Sequence, residues 1–182
     1  MKKTMTISLM MVVMFVTACQ VTSCGKANAD SAAAKPLRVG VYDSRCIAAA
    51  CLRSEWWNKQ LQEKMKERDK AKAAGDTQKV KELEEWGQSS QAKAHLQGFG
   101  TAPVKNLLEQ VKDKLPQVAQ QAGVDIIVSK WQIDYQAKDA EVVDMTDAIV
   151  ALYKPSEETL KIIEEMKKQQ PISEEELLKM KD

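Results

Sequence analysis

Cysteine and histidine are the side chains of this 182-residue chain that most readily support chemistry. Cys46 and Cys51 are the pair that could form a disulfide bond. In a regular helix, positions five apart have Cα atoms roughly 8–9 Å apart, beyond the ~7 Å that a disulfide tolerates. Because the alanines at 48–50 favour a helix, we expect two buried free thiols. The pair also lacks the Cys-X-X-Cys spacing, which leaves a thiol-redox function as a hypothesis without its usual motif.

The other reactive residue types lack the spacing of a catalytic or metal site. His95 is the single histidine, and it has no cysteine or carboxylate at metal-ligand spacing. There is no nucleophile elbow, phosphate-binding loop or zinc motif. Pairs of acids occur within amphipathic patterns, which indicates solvated helix faces. These pairs are Glu84-Glu85, Glu157-Glu158 and Glu164-Glu165. We therefore predict a protein that is not an enzyme and uses no cofactor or metal.

The first 18 residues have the composition of an export signal. Lys2 and Lys3 precede an apolar run of about twelve residues, too few to span a bilayer of ~30 Å. The rest of the chain holds 25 basic and 26 acidic groups, a net charge of −1. A nucleic-acid-binding protein needs a concentrated basic face, so the charge pattern argues against such a partner. We expect a periplasmic protein.

Processing of the signal has three candidate positions. Val16-Thr17-Ala18-Cys19 is similar to a bacterial lipobox, in which the cysteine is acylated and becomes the new N-terminus. Cys24 follows a looser version of that pattern, and cleavage after Ala29 would fit ordinary signal peptidase. Lipidation at Cys19 would anchor the protein to a membrane through residues 19–35, whose composition predicts a flexible tether.

The stretch 123–155 predicts two strands followed by a helix. A β-branched run after the glycine has the length of a buried strand. Trp131, Ile133 and Tyr135 then alternate with polar residues, which favours a half-buried strand and a β-hairpin. Helical spacing of apolar residues follows, and Pro155 ends it. The predicted elements are strand 124–128, strand 131–135 and helix 140–153.

Upstream of this stretch we predict one more strand and a long helical hairpin. Apolar residues alternate along 37–42, and a lone strand there must pair with the later strands to satisfy its backbone. Helical patterning covers 46–97, with a break at Gly75-Asp76. Two helices joined by so short a turn predict an antiparallel αα-hairpin.

The remaining segments complete an α+β, mostly helical fold. Two glycines and a proline within 98–103 predict a break, followed by a helix over 104–122 with a kink at Pro116. Ser156 and Ser173 have the spacing of helix caps in the C-terminal tail. That tail could fold back on the body, mediate assembly or form solvated helices. The predicted divisions are signal peptide 1–18, tether 19–35, domain 36–153 and tail 154–182.

Two parts of the sequence resemble the Skp/OmpH-type periplasmic chaperones. One is the aspartate-aliphatic strand, the extended segment ending at Tyr135 and the helix with the Asp144-Met145-Thr146-Asp147 core. The other is the hairpin tip at 72–79, Lys-Ala-Ala-Gly-Asp-Thr-Gln-Lys. The resemblance implies a small sheet body with a coiled-coil arm, a jellyfish-like homotrimer, and the binding of unfolded outer-membrane or other envelope proteins between the arms.

The resemblance and the amphipathic pattern together give the first functional hypothesis, a holdase chaperone. An amphipathic hairpin with more apolar surface than its partner helix covers offers sequence-tolerant contacts to exposed client segments. The alternative for each residue is that it only joins the two helices of the hairpin. The candidate client-binding residues are Trp56, Trp57, Leu61, Met65, Val80, Leu83 and Trp86.

The second hypothesis is a lipid-anchored structural or assembly factor of the envelope with no client. Two departures from the family pattern favour it. The net charge is near neutral, whereas the family is markedly basic. The first predicted hairpin helix, 47–74, spans only about 42 Å at 1.5 Å per residue. The chain would then belong to a divergent, short-armed branch of the family.

Overall fold

The computed structural model describes residues 36–179, which form a mostly helical chain with one small sheet. The strands are β1 (Val39–Tyr42), β2 (Ile126–Ser129) and β3 (Val142–Asp144). The helices are α1 (Ser44–Leu52), α2 (Glu55–Ala73), α3 (Thr77–Phe99), α4 (Lys105–Leu108), α5 (Leu115–Ala122), α6 (Thr146–Val150), α7 (Glu157–Lys167) and α8 (Glu174–Lys179). Single 3₁₀ turns occupy Lys112–Lys114, Lys130–Gln132 and Ala151–Tyr153. The predicted signal peptide and tether lie outside the described residues.

The sheet is parallel, with strand order β2-β1-β3. The first strand does pair with a later one, as its unsatisfied backbone requires, but the predicted hairpin over 124–135 is wrong. Residues 131–135 form no strand, because the Ser129 hydroxyl accepts a hydrogen bond from the Trp131 amide and turns the chain into a 3₁₀ turn. Tyr135 is 84% exposed as a result. The third strand is β3, which lies inside the segment 140–153 that was predicted to be one helix. In that segment the helical structure is limited to α6 and the 3₁₀ turn that follows it.

The two faces of the sheet differ in their surroundings. Tyr42, Ile127 and Val143 alternate onto one face and join the hydrophobic core. The strand register places Val39 beside Ile126 and Val142 on the opposite face, which lies outside that core cluster. Ile126 is 46% exposed there. We call this surface the open sheet face; its residues are Val39, Val41, Ile126, Val128 and Val142.

Helix α1 is the centre of the core, since every residue from Ser44 to Cys51 is buried. Three alanines keep it narrow, and it packs against α3, α6 and α7. The predicted helix 47–74 is interrupted between α1 and α2. The reason is Ser54, whose hydroxyl donates to the Cys51 carbonyl and accepts from the Trp57 amide. One side chain thus ends the first helix and caps the second.

Helices α2 and α3 meet at a short turn. Gly75 adopts a φ of 71°, and the Asp76 carboxylate accepts a hydrogen bond from the Lys79 amide to cap α3. Beyond the turn the helices contact each other, for example through Lys72 Nζ and Glu84 Oε1 at 3.2 Å. We call residues 55–90 the arm. The predicted break after α3 is also present, because α3 ends at Phe99 and α4 begins at Lys105.

The predicted helix 104–122 is three pieces, not one kinked helix. Helix α4 ends after one turn, a 3₁₀ turn follows, and α5 begins at Leu115. Pro116 lies in the first turn of α5, where its missing N–H costs no hydrogen bond. Gly123, at φ 64°, ends α5 in the left-handed conformation.

The C-terminal helices belong to the body. Ser156 caps α7, and Ser173 with Glu176 forms the predicted capping box of α8. Helix α7 packs against α1, and Ile163 has no exposed surface. The tail therefore folds back on the body, the first of the three outcomes that the sequence allowed.

Candidate functional site

The apolar side chains of the arm are the first candidate site, and they differ in exposure. Trp56 and Leu61 are 40% exposed and Met65 is 47% exposed, all on α2. On α3, Leu83 is buried and contributes to the packing of the two helices. The remaining candidates are half-buried; these are Trp57, Val80 and Trp86. The candidates therefore include solvent-exposed side chains as well as side chains that pack between the two helices.

Four of these residues come together in one groove. Leu61 and Met65 of α2 and Leu83 and Trp86 of α3 line a cavity of about 300 Å³. Its rim is charged, because Lys64, Arg68 and Glu84 also line it. We call it the arm groove. An apolar floor with a mixed charged rim can accept an apolar segment of another chain without demanding one sequence.

The two adjacent tryptophans lie elsewhere, at the base of the arm. Their ring centroids are 6.1 Å apart and the planes are tilted by 47°. Trp56 also lines a separate cavity with Val111 of the segment after α4 and Tyr153 of the turn after α6. The structure therefore does not unite all seven candidates. Trp56 and Trp57 are close to the body, and the arm groove is further along α2.

The second candidate site is a buried ionic cluster around Asp43, which the sequence analysis did not find. Asp43 Oδ1 accepts hydrogen bonds from the Arg45 amide and Nε and from Trp131 Nε1. Asp43 Oδ2 accepts from Arg45 Nη2 at 2.7 Å and from Lys130 Nζ at 2.9 Å. Lys130 Nζ lies 4.5 Å from the Trp131 ring centroid and Arg45 Cζ lies 5.1 Å from it. The carboxylate is thus surrounded by donors.

This cluster forms because the carboxyl ends of the three parallel strands meet at one edge. Asp43 follows β1 and Lys130 follows β2, while the Thr146 hydroxyl, just after β3, accepts from the Asp43 amide. Ligands of open parallel sheets bind at this edge, so its chemistry matters. The signal was a polar side chain shortly after each apolar run, namely Asp43, Lys130 and Thr146. It was missed because the second run was interpreted as half of a hairpin.

The electrostatics of Asp43 favour a structural role. Burial acts to raise the pKa of its carboxyl, but the hydrogen bonds from Arg45, Lys130 and Trp131 lower it to about 2. A general base works best with a pKa near the operating pH. A carboxylate of such low pKa, with five donors already bound, is a weak base with no free position for a substrate. The cluster joins the three strand ends to the C-terminal helices, since Arg45 Nη1 also donates to the Gln169 carbonyl at 2.9 Å.

The thiols have the environment of buried structural residues. Cys46 and Cys51 are both unbonded and fully buried in α1, as their spacing in a helix predicts. Burial raises the pKa of each thiol to about 12. Since the thiolate is the reactive form, these groups are unreactive near neutral pH. The thiol-redox hypothesis gains no support from them.

The remaining sequence candidates lie on the surface. His95 is exposed, with its ring centroid 5.8 Å from that of Phe99. Within residues 36–179 there is no group of three or more histidine, cysteine or acidic side chains that could hold a metal ion. None of the helices in that part of the chain is both long and apolar enough to cross a membrane.

Comparison of the chain with protein-family models, with curated proteins and with solved structures found no match. The functional assignment therefore depends on the residues and geometry described above and on the resemblance in the sequence.

Proposed function

We propose that this protein is an exported holdase chaperone that binds unfolded envelope proteins through its helical arm. The observation that carries the proposal is the exposure of large apolar side chains on α2, at 40% for Leu61 and 47% for Met65. A helix pair that only needed to hold itself together would bury such residues. The expected clients, outer-membrane and other envelope proteins, expose apolar segments before they fold.

In this proposal α2 and α3 form an antiparallel coiled-coil hairpin that extends from the body. The arm groove supplies contacts of low sequence specificity, because apolar contact is non-directional. Each contact contributes little, and several arms around one client add up through effective concentration. Export follows the predicted signal, and acylation of Cys19 would hold the protein at a membrane surface.

The proposal also includes a homotrimer, assembled through the open sheet face. A three-stranded sheet with helices on one side is a marginal core by itself. Ile126 at 46% and Leu37 at 59% exposure leave apolar surface beside the strands. Burial of that surface against other protomers would stabilise the sheet and arrange three arms around a central space.

The test measures how well the protein suppresses the aggregation of an unfolded outer-membrane β-barrel protein, with one trimer present per client molecule. We expect the wild-type protein to keep the client soluble and a Leu61→Ser/Met65→Ser double variant to lose most of this activity. The matched control is Glu63→Ser/Lys66→Ser, two exposed polar positions on the same helix. Circular dichroism should show the same helix content for all three proteins, because neither pair is buried.

Two outcomes would reject the proposal. If the double variant protects the client as well as the control does, the arm groove is not the binding surface. If the wild-type protein gives no protection, the structural or assembly-factor function is favoured. The short reach of the arm supports that second function, since the 19 residues of α2 span about 28 Å at 1.5 Å per residue.

A further inference from the structure

A third cavity, of about 390 Å³, lies where the end of α3 meets α7 and the segment after it. Its volume is within the usual range of small-molecule sites, roughly 300–1,000 Å³. The apolar part of its wall is formed by Phe99, Ile162, Met166 and Ile172. Phe99 is 50% exposed, although its carbonyl accepts a backbone hydrogen bond from Ile172 at 2.9 Å. Residues of the arm and of the open sheet face do not line this cavity, so it is separate from the holdase proposal.

The cavity also contains a buried guanidinium with unused hydrogen-bond donors. Arg45 lines it, and the side chain of Arg45 is only 3% exposed. Nε and Nη2 donate to Asp43, and Nη1 donates to the Gln169 carbonyl. A guanidinium carries five N–H groups, so two of them have no acceptor among the described residues. Each nitrogen of the guanidinium has one acceptor, and Nη1 and Nη2 each retain one further N–H that a ligand could use.

The charge of the cavity wall is positive. Lys161 lines the cavity and forms no ion pair with any residue in 36–179. Glu165, the one acid of the wall, is paired with Lys168, with 2.7 Å between Oε1 and Nζ. Asp43 pairs with Arg45 and is shared with Lys130. Arg45 and Lys161 against Glu165 leave the lining side chains with a net positive charge, beside an apolar wall.

We propose that this cavity binds a single-chain carboxylic acid of medium length. The carboxylate accepts the free N–H groups of Arg45 and is attracted by Lys161. The alkyl chain lies against Phe99, Ile162 and Met166. A charge-assisted hydrogen bond to a buried guanidinium selects an anionic head group. The apolar wall selects an alkyl chain over a small polar anion.

The test uses the mature protein and decanoate, below its aggregation concentration, at pH 7.5. Methyl NMR should show saturable shifts at Ile162, Met166 and Ile172, together with a shift of the Arg45 Nε–H signal. Decyltrimethylammonium, which has the same chain and the opposite charge, should bind about tenfold more weakly because the cavity wall is cationic.

Variants distinguish the cavity from general apolar binding. Lys161→Glu should weaken decanoate binding about fivefold by reversing the unpaired charge. Lys105→Glu, at an exposed lysine outside the cavity, should leave the affinity unchanged. Ile162→Trp should remove binding by filling the space. If Ile162→Trp does not fold, the Lys161→Glu result decides, because that side chain is on the surface.

Four results would overturn the proposal. The first is equal affinity for the two amphiphiles, and the second is no binding at millimolar decanoate. The third is a set of shifts confined to Leu61 and Met65, which would place the ligand in the arm groove. The fourth is movement of the cavity methyl signals when residues 20–35 are deleted without ligand, which would make that segment the occupant. None of these results depends on chaperone activity, so the two proposals can fail separately.

Discussion

Asp43 is a carboxylate with almost no exposed surface that nevertheless remains ionised, because five donors take the place of water. Replacing one partner of such a pair leaves the other charge buried without compensation, at a cost of roughly 3–5 kcal/mol. Arg45 would be the uncompensated partner here. The cluster therefore makes the junction of the three strand ends sensitive to substitution and to acid.

We expect the stability of the protein to fall between about pH 4 and pH 2 because Asp43 becomes protonated. Its pKa in the folded state is about 2, below the ordinary value of 3.8. A lowered pKa stabilises the folded state above the ordinary value, and this contribution is lost as the pH falls through the folded value. The expected loss is roughly 2 kcal/mol. Urea unfolding at a series of pH values measures it.

The comparison protein for this measurement is Asp43→Asn. It should be less stable than the wild type at pH 6, with the difference between the two shrinking toward pH 2. Asp147→Asn removes an exposed partner of Lys167 and should cost less than about 1 kcal/mol at any pH. A difference between wild type and Asp43→Asn that stays constant from pH 6 to pH 2 would contradict the assigned pKa.

Two glycines give opposite expectations for the same substitution. Gly40→Ala should destabilise the protein by about 1–3 kcal/mol through overpacking. Its Cβ would lie 2.7 Å from Met145 Cγ and 3.2 Å from Val124 Cγ2. Gly87→Ala should stabilise it by about 0.5–1 kcal/mol, because Gly87 lies within α3 and its Cβ would meet no atom within 4 Å. Urea unfolding midpoints decide both. If the two variants shifted the urea midpoint in the same direction and by the same amount, the backbone of β1 would have moved to accept the new methyl group at position 40.

Helix α7 is part of the hydrophobic core. Ile163→Ala should therefore cost about 2–5 kcal/mol, since Ile163 is fully buried. Leu160→Ala, on the same helix but 43% exposed, should cost much less. Thermal unfolding of the two variants compares them directly. Similar costs would mean that α7 is only loosely attached to the body.

The sequence was most informative about elements whose signals are local. The caps at Ser156 and Ser173, the turn at Gly75 and the break before α4 all follow from residues close to one another in the sequence. The strand pairing was predicted poorly. Alternation at 131–135 satisfies the strand pattern, but the side chain of Trp131 reaches Asp43, 88 residues earlier. No local pattern contains that contact.

The candidate sites were predicted only where their residues form a local pattern. Leu61 and Met65 were found because helical periodicity places them on one stripe. Arg45 and Lys130 were missed, because each is an ordinary charged residue after a strand until the sheet is known to be parallel. The cavity beside α7 could not be predicted at all, since it depends on the path of the tail.

The apolar surface of the open sheet face predicts that several protomers assemble through it. Light scattering of the mature protein at micromolar concentration should give a mass of about three protomers. Ile126→Lys should shift the protein to monomers, because it replaces the most exposed apolar side chain of that face by a charge. The control is Leu160→Lys, which has similar exposure but lies on α7. A monomeric wild-type protein, or a trimeric Ile126→Lys variant, would exclude assembly through the sheet.

The parallel order of the sheet also sets the sequence of folding events. The backbone of Arg38 bonds to Asp125, 87 residues later, and Asp43 bonds to Thr146, 103 residues later. Contacts so distant along the chain form slowly, because a long loop must close first. The contacts within the arm join α2 and α3 across a single short turn, so the arm can form early. During synthesis β1 is made first, and its partners β2 and β3 are made much later. The edges of β1 therefore stay unpaired until most of the chain has been synthesised, and they can pair with another chain during that interval.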